Sequence, residues 1–199
     1  MTFDDVVGFH GHACPGLAIG YRVARVALQE LGDKAKDEEL VAVVENNSCA
    51  VDAIQAMAGC TFGKGNLIFK DYGKQVYTFI RRPSGEAVRI AVTWEPPSAE
   101  AETPAEKAMW QRYSEGDRSA EVMAVVQARK SRKMRMILEA PASDLFDIRH
   151  MTVALPGPAR IYPTLSCDLC HEKVMEPRTR KVGNQILCIP CAEKEKKGG

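Results

Sequence analysis

Seven cysteines and four histidines are the residues of this 199-residue chain best suited to chemistry, and their spacing sorts most of them into two groups. Near the C-terminal end, Cys167-Asp168-Leu169-Cys170 is followed, after 17 intervening residues, by Cys188-Ile189-Pro190-Cys191. Two residues between thiols let a tight knuckle present both sulfurs to one ion, and the doubled pair at this separation is a zinc-site spacing. Four thiolates fill a tetrahedral shell, so the chemistry expected is structural, with one zinc and no open position. A redox-active dithiol pair is the competing reading, and the doubling argues against it. His171, next to Cys170, is expected to face solvent rather than act as a fifth ligand.

The second group lies near the start. His10-Gly11-His12-Ala13-Cys14 puts three nitrogen or sulfur donors at alternate positions, which would point one way in an extended segment. An alternating His-x-His-x-Cys is a poor core pattern, so a functional site is the better reading. Cys14 precedes Pro15 and so falls at a helix N-cap, where the helix dipole favours a thiolate. Cys49, after Ser48, stands at a second helix start and is expected to be reactive for the same reason, with the Asp52 carboxylate offsetting part of the effect. Cys60 follows Gly59 in a glycine-rich loop; its bland reading is a small buried hydrophobe.

These groups must be held by an ordered scaffold. Leu17, Tyr21, Ala24, Leu28 and Leu31 repeat at helical steps between Pro15 and Gly32, a helix with Pro at its start and Gly at its stop. Leu40–Glu45 reads as a short strand, and Ser48 as the cap of a short helix ending at Gly59. Asn66–Lys70, Gln75–Arg81 and Glu86–Thr93 read as a three-stranded meander. Thr103-Pro104-Ala105-Glu106 is a capping-box start for a helix to about Tyr113. A long helix over Ser119–Leu138 and a strand over Phe146–Ala154 complete the core. After a Pro156-Gly157-Pro158 connector, Gly183-Asn184 suits a hairpin turn, and Ala192–Lys197 a helix whose N-terminus would favour the last thiolates. Knuckle, hairpin and helix in that order describe a treble-clef finger. The fold class is therefore α+β, a mixed sheet flanked by helices over 1–160, with a small finger over 161–199.

Composition excludes several classes. Hydrophobic residues at 45% and charged residues at 27% suit a globular domain. No apolar run approaches a membrane span, and the first residues carry neither a basic nor an apolar leader pattern, so a cytoplasmic protein is expected. A net charge of +1 argues against a partner bound through phosphates. Arg129, Lys130, Arg132, Lys133 and Arg135 form a basic run that reads as a solvated helix face, with little aromatic interleaving for base stacking.

Three blocks together carry a resemblance: Phe9–Gly20 (FHGHACPGLAIG), Glu45–Gln55 (ENNSCAVDAIQ) and Gly59–Asn66 (GCTFGKGN) resemble the E-subunit family of formylmethanofuran dehydrogenase. The C-terminal cysteine module resembles the treble-clef finger of some members. The resemblance implies a core of thioredoxin-like character with a metal-binding active site. It carries His10, His12 and Cys14 from the first block, Cys49 from the second, and Cys60 with Lys64 as cofactor-binding candidates from the third. A second zinc or other transition metal in the core, with Cys14 and Cys49 as catalytic thiols, is implied in the same way. So is association as a homodimer or with oxidoreductase subunits, which the edges of a short sheet also favour. Some relatives are associated with the molybdenum or tungsten enzyme that interconverts carbon dioxide and formylmethanofuran in methanogenesis, while many occur without that pathway. Three functions therefore stand side by side: a metal- or thiol-dependent enzyme, an accessory subunit of such an oxidoreductase, and a zinc-finger nucleic-acid or regulatory protein.

Overall fold

The helix framed by Pro15 and Gly32 forms as its periodicity requires. In the computed structural model, which describes residues 1–95 and 103–198, α2 spans Pro15–Leu31 with Cys14 as its N-cap. It buries Leu17, Val23, Ala27 and Leu31. Ahead of it lies α1 (Phe3–His10), an element beyond those expected from the sequence. Its signal is a capping box: the Thr2 hydroxyl accepts from the Asp5 amide while the Asp5 carboxylate accepts from the Thr2 amide. Gly11, at φ 92°, ends it in the left-handed region that only glycine enters without strain.

Strand β1 (Leu40–Val44) leads into α3 (Ala50–Ala58), then β2 (Leu67–Phe69), β3 (Val76–Arg81) and β4 (Glu86–Val92). The pair α4 (Pro104–Ser114) and α5 (Ala120–Glu139) follows, then α6 (Ala142–Leu145) and β5 (Phe146–Thr152). The five strands form one mixed sheet in the order β2-β1-β3-β4-β5. Only β1 and β2 are parallel, with Ala42 opposite Leu67; the remaining pairs are antiparallel.

This order corrects the expected meander. β1-α3-β2 is a crossover unit, which delivers β2 parallel to β1, and β3 takes the other side of β1. Residues 70–75 are therefore not a hairpin turn. They wrap the end of β1, with the amides of Lys70, Tyr72 and Lys74 donating to the carbonyls of Val44 and Glu45. The cap assigned to Ser48 is corrected too: its hydroxyl donates to Asn46 Oδ1 at 2.7 Å, and the residue before α3 is Cys49, with no side-chain cap.

Core side chains Ala42, Val44, Tyr77, Phe79, Val88 and Ile90 share one cluster with residues of α2, α3 and α5. Two features fix the helices. A Cβ built on Gly20 would stand 2.3 Å from the Ala50 carbonyl oxygen, so the backbones of α2 and α3 are in contact. The Arg22 guanidinium donates to the carbonyls of Ile137, Leu138 and Ala140 at 2.6–2.7 Å, satisfying orphan acceptors at the end of α5.

The basic run is committed to packing. Arg129 lies 4.1 Å over the Trp110 ring, Lys130 5.1 Å from the Tyr113 ring centre and Lys133 5.3 Å from that of Trp94. Arg132 pairs with Glu106 at 2.8 Å. Aromatics distant in sequence thus meet the basic face, but as partners of its own cations.

The chain divides into two compact units, Met1–Pro158 and Ala159–Gly199. The second contains the β6–β7 hairpin (Thr164–Ser166, Lys173–Met175), a 3-10 turn (Glu176–Arg178), the β8–β9 hairpin (Thr179–Val182, Gln185–Cys188) and α7 (Ile189–Gly198). Gly183, at φ 58°, turns the second hairpin with Asn184. No helix among the described residues is long and apolar enough to cross a membrane.

Candidate metal centres

In the smaller unit, Cys167 and Cys170 lie on the loop of the β6–β7 hairpin, Cys188 ends β9 and Cys191 sits in the first turn of α7. Their four sulfurs lie within 4.8 Å of one another. The Cys170–Cys188 separation is 3.9 Å; thiolates around one zinc stand about 3.8 Å apart, so the donor set fits that ion. Local folding explains the convergence. The His171 amide donates to the Cys167 carbonyl, and His171 takes φ 61° to close the knuckle. Asp168 fastens the knuckle to the second hairpin: its amide donates to the Ile186 carbonyl and its carboxylate accepts from the Ile186 amide. The Cys188 amide donates to Cys167 Sγ at 3.3 Å. Amide donors from Cys170 and then Cys188 bring the Cys167 thiol down to about 6, toward the thiolate a metal needs. His171 is exposed and outside the four.

In the larger unit, His10, His12 and Cys14 present ligand atoms within 4.8 Å of one another. The expected extended segment is not what aligns them. His10 is the last residue of α1, Gly11 reverses the chain, and Cys14 opens α2. Cys14 Sγ accepts from the Leu17 amide at 3.3 Å, as an N-cap side chain does. His10 Nε2 lies 4.0 Å from that sulfur, about half an ångström beyond the roughly 3.5 Å expected when both bind one zinc. The other nitrogen of His10, Nδ1, is 2.7 Å from Asp52 Oδ2 on α3. Gln55 Nε2 donates to Asp52 Oδ1 at 3.3 Å. A carboxylate on Nδ1 fixes the ring and leaves Nε2 as the metal-facing donor. From sequence, Asp52 is only a charge near Cys49. Its link to His10 depends on α1 packing against α3, and no local pattern announces that contact.

Cys49 meets Cys14 from the start of α3. Cβ and Sγ of Cys49 and Sγ of Cys14 all lie within 4.0 Å of a Cβ built on Gly16. The expectation of a dipole-favoured thiolate at Cys49 is corrected: burial foremost, then the Cys14 thiol, and also the Asp52 charge, push its pKa up. Cys60 and Lys64 have other partners. Cys60 is fully buried, donates to the Leu40 carbonyl at 3.3 Å, and is pushed to about 12 chiefly by burial. Lys64 Nζ reaches the carbonyls of Ala35, Lys36 and Asp37 at 3.0–3.5 Å. With Asn66, whose amide donates to the carbonyls of Asp37, Leu40 and Gly59, Lys64 satisfies loop backbone, a role a sequence block cannot distinguish from ligand binding.

Comparison with known proteins agrees with this layout. The family model "FmdE, Molybdenum formylmethanofuran dehydrogenase operon" matches residues 9–147, and the prokaryotic dksA/traR C4-type zinc finger matches residues 160–197. A probable S-adenosyl-L-methionine-binding protein of Archaeoglobus fulgidus is 31% identical over 193 residues, 92% of this chain and 50% of that protein. The chain thus spans about half the length of the curated relative it matches. An FmdE-like protein of tungsten formylmethanofuran dehydrogenase from Syntrophus aciditrophicus shares the fold, with a TM-score of 0.62 at 22% identity. That likeness covers 96% of this chain and 90% of the other. With the match spanning both helix starts, the sheet and the His10–Cys14 turn, the chain belongs to the FmdE family and carries a C4-type zinc finger C-terminal to its core.

Proposed function

We propose that the protein is a metal-binding accessory protein that holds a transition metal, zinc first, at His10, His12 and Cys14, with the Cys49 thiol beside it and a structural zinc in the finger. The observation that carries this reading is the Gln55–Asp52–His10 chain, which orients an imidazole toward the Cys14 thiol. Three protein ligands leave a coordination position open, at which a zinc ion would supply Lewis acidity. Cys14 and Cys49 are the side chains placed to engage a substrate there. The family's operon description and the name of the Syntrophus protein favour a cytoplasmic, redox-linked role beside a molybdenum or tungsten oxidoreductase of one-carbon metabolism, as a homodimer or docked to its subunits.

The test is metal loading of the whole chain. Cys14→Ser is expected to lower zinc by one equivalent and leave the finger's equivalent in place. Asp52→Asn should keep the ligands but weaken the core site about 10–100-fold, the usual loss when an orienting carboxylate is removed, read by chelator competition. Unchanged metal content in Cys14→Ser would remove the reading.

A second reading has one observation in its favour. An open cavity of about 1000 Å³ is lined by Phe9, Asp33, Lys36, Gln55 and Thr61, and Gln55 connects it to Asp52. The exposed Phe9 ring and the Asp33 carboxylate suit a purine and a ribose. S-adenosyl-L-methionine, named for the Archaeoglobus relative, is the ligand to try by equilibrium dialysis. Phe9→Ala should weaken it about threefold to tenfold by loss of stacking, and absence of saturable uptake would exclude it.

A further inference from the structure

A smaller cavity of about 250 Å³ opens beside the thiol pair, lined by Pro15, Gly16, Ser48, Gln75, Trp94 and Lys133 among others. Two of these residues tie it to the site. Gly16 touches Cys49, and Ser48 precedes Cys49 in the chain. The polar wall is held from behind by a buried network. Asn46, 5% exposed, donates from Nδ2 to the hydroxyl of the fully buried Tyr77 at 3.2 Å. That hydroxyl donates to Gln75 Oε1 at 2.9 Å, which fixes the Gln75 amide with Nε2 as its donor end. Ser48 Oγ spends its proton on Asn46 Oδ1. Lys133 brings an ammonium group 5.3 Å from the Trp94 ring centre. Val92, Ile19 and Ile137 supply an apolar floor. An ammonium and an amide donor above an apolar floor match an anionic head on an apolar body, and the volume holds only a small one.

We propose that this cavity binds a small organic monoanion, a carboxylate with a short apolar or aromatic body, beside Cys49. The carboxylate pairs with Lys133 Nζ and Gln75 Nε2, and the body lies against Trp94 and Ile137. The placement of the anion next to a reactive centre rests on the metal-site reading above; the binding itself does not.

The test uses the full, zinc-loaded chain carrying Trp110→Phe, which leaves Trp94 as the remaining tryptophan. Benzoate and benzamide are titrated against Trp94 fluorescence, with metal content measured on the same samples. Benzoate is expected to saturate with a dissociation constant of about millimolar, and benzamide to bind about tenfold more weakly. Lys133→Gln, an exposed position, should weaken benzoate about tenfold, as loss of a charge-assisted bond does. No saturable benzoate signal, or equal affinity in Lys133→Gln, would overturn the pocket even with both metals present. Saturable, Lys133-dependent benzoate binding in a chain lacking core metal would uphold the pocket and sink the metal reading instead.

Discussion

Replacing Cys188 by serine is expected to release the finger's zinc and unfold residues 159–199, with the larger unit unaffected. The smaller unit has almost no core of its own: Cys167, Leu187, Cys188, Cys191 and Ala192 are its buried cluster, and three of these five are the proposed ligands themselves. A tail of this size cannot offset chain entropy by apolar burial alone. Structural zinc supplies about 10–16 kcal/mol of apparent free energy in small finger peptides, so the metal is the dominant stabilising term here. Loss of one ligand also frees the β9 end that Cys188 anchors to Cys167. Zinc content should fall by one equivalent, and proteolysis should cut within 159–199 while leaving a core fragment. Full zinc retention would contradict the four-cysteine assignment.

Gly20→Ala should be the most damaging single-methyl change in the larger unit. The added Cβ would lie 2.3 Å from the Ala50 carbonyl oxygen and 2.5 Å from its Cα. Both obstacles are backbone, so the clash is relieved only by parting α2 from α3. Overpacking costs about 1–3 kcal/mol and sometimes more, against a helix-propensity gain near 1 kcal/mol. A net loss of about 2 kcal/mol is expected by denaturant unfolding. Because the same contact sets Cys14 against Cys49, core-site metal affinity should fall with it. Gly8→Ala is the control: in α1 a Cβ there meets nothing within 4 Å, so propensity alone should stabilise the helix by up to about 1 kcal/mol. Similar destabilisation by both would remove the close-contact explanation.

Features written in local sequence are readable, and those arising from distant packing are not. Pro15 and Gly32 bound α2 to the residue, because helix caps are local chemistry. The doubled Cys-x-x-Cys and Gly183-Asn184 likewise announce the finger's knuckle and hairpin. His10, His12 and Cys14 belong together as their spacing suggests, but through another geometry. The Thr2–Asp5 capping box is the signal for α1, and without it a helix end and a left-handed glycine read as an extended run. Sheet order fails at β2, since apolar runs of three to six residues carry no information about which side of β1 each takes. The lowered pKa expected for Cys49 fails because burial and the facing Cys14 outweigh a helix dipole without a bonded donor. Asp52 and Gln55 gain their roles only once α3 packs on α1.

Anomalous diffraction at the zinc edge from crystals of the zinc-loaded full chain tests the central claim most directly. Two peaks per chain are expected, one among Cys167, Cys170, Cys188 and Cys191, and one bounded by His10, His12 and Cys14 with Asp52 on the far nitrogen of His10. A peak in the finger with none at the His10–Cys14 turn would contradict the account.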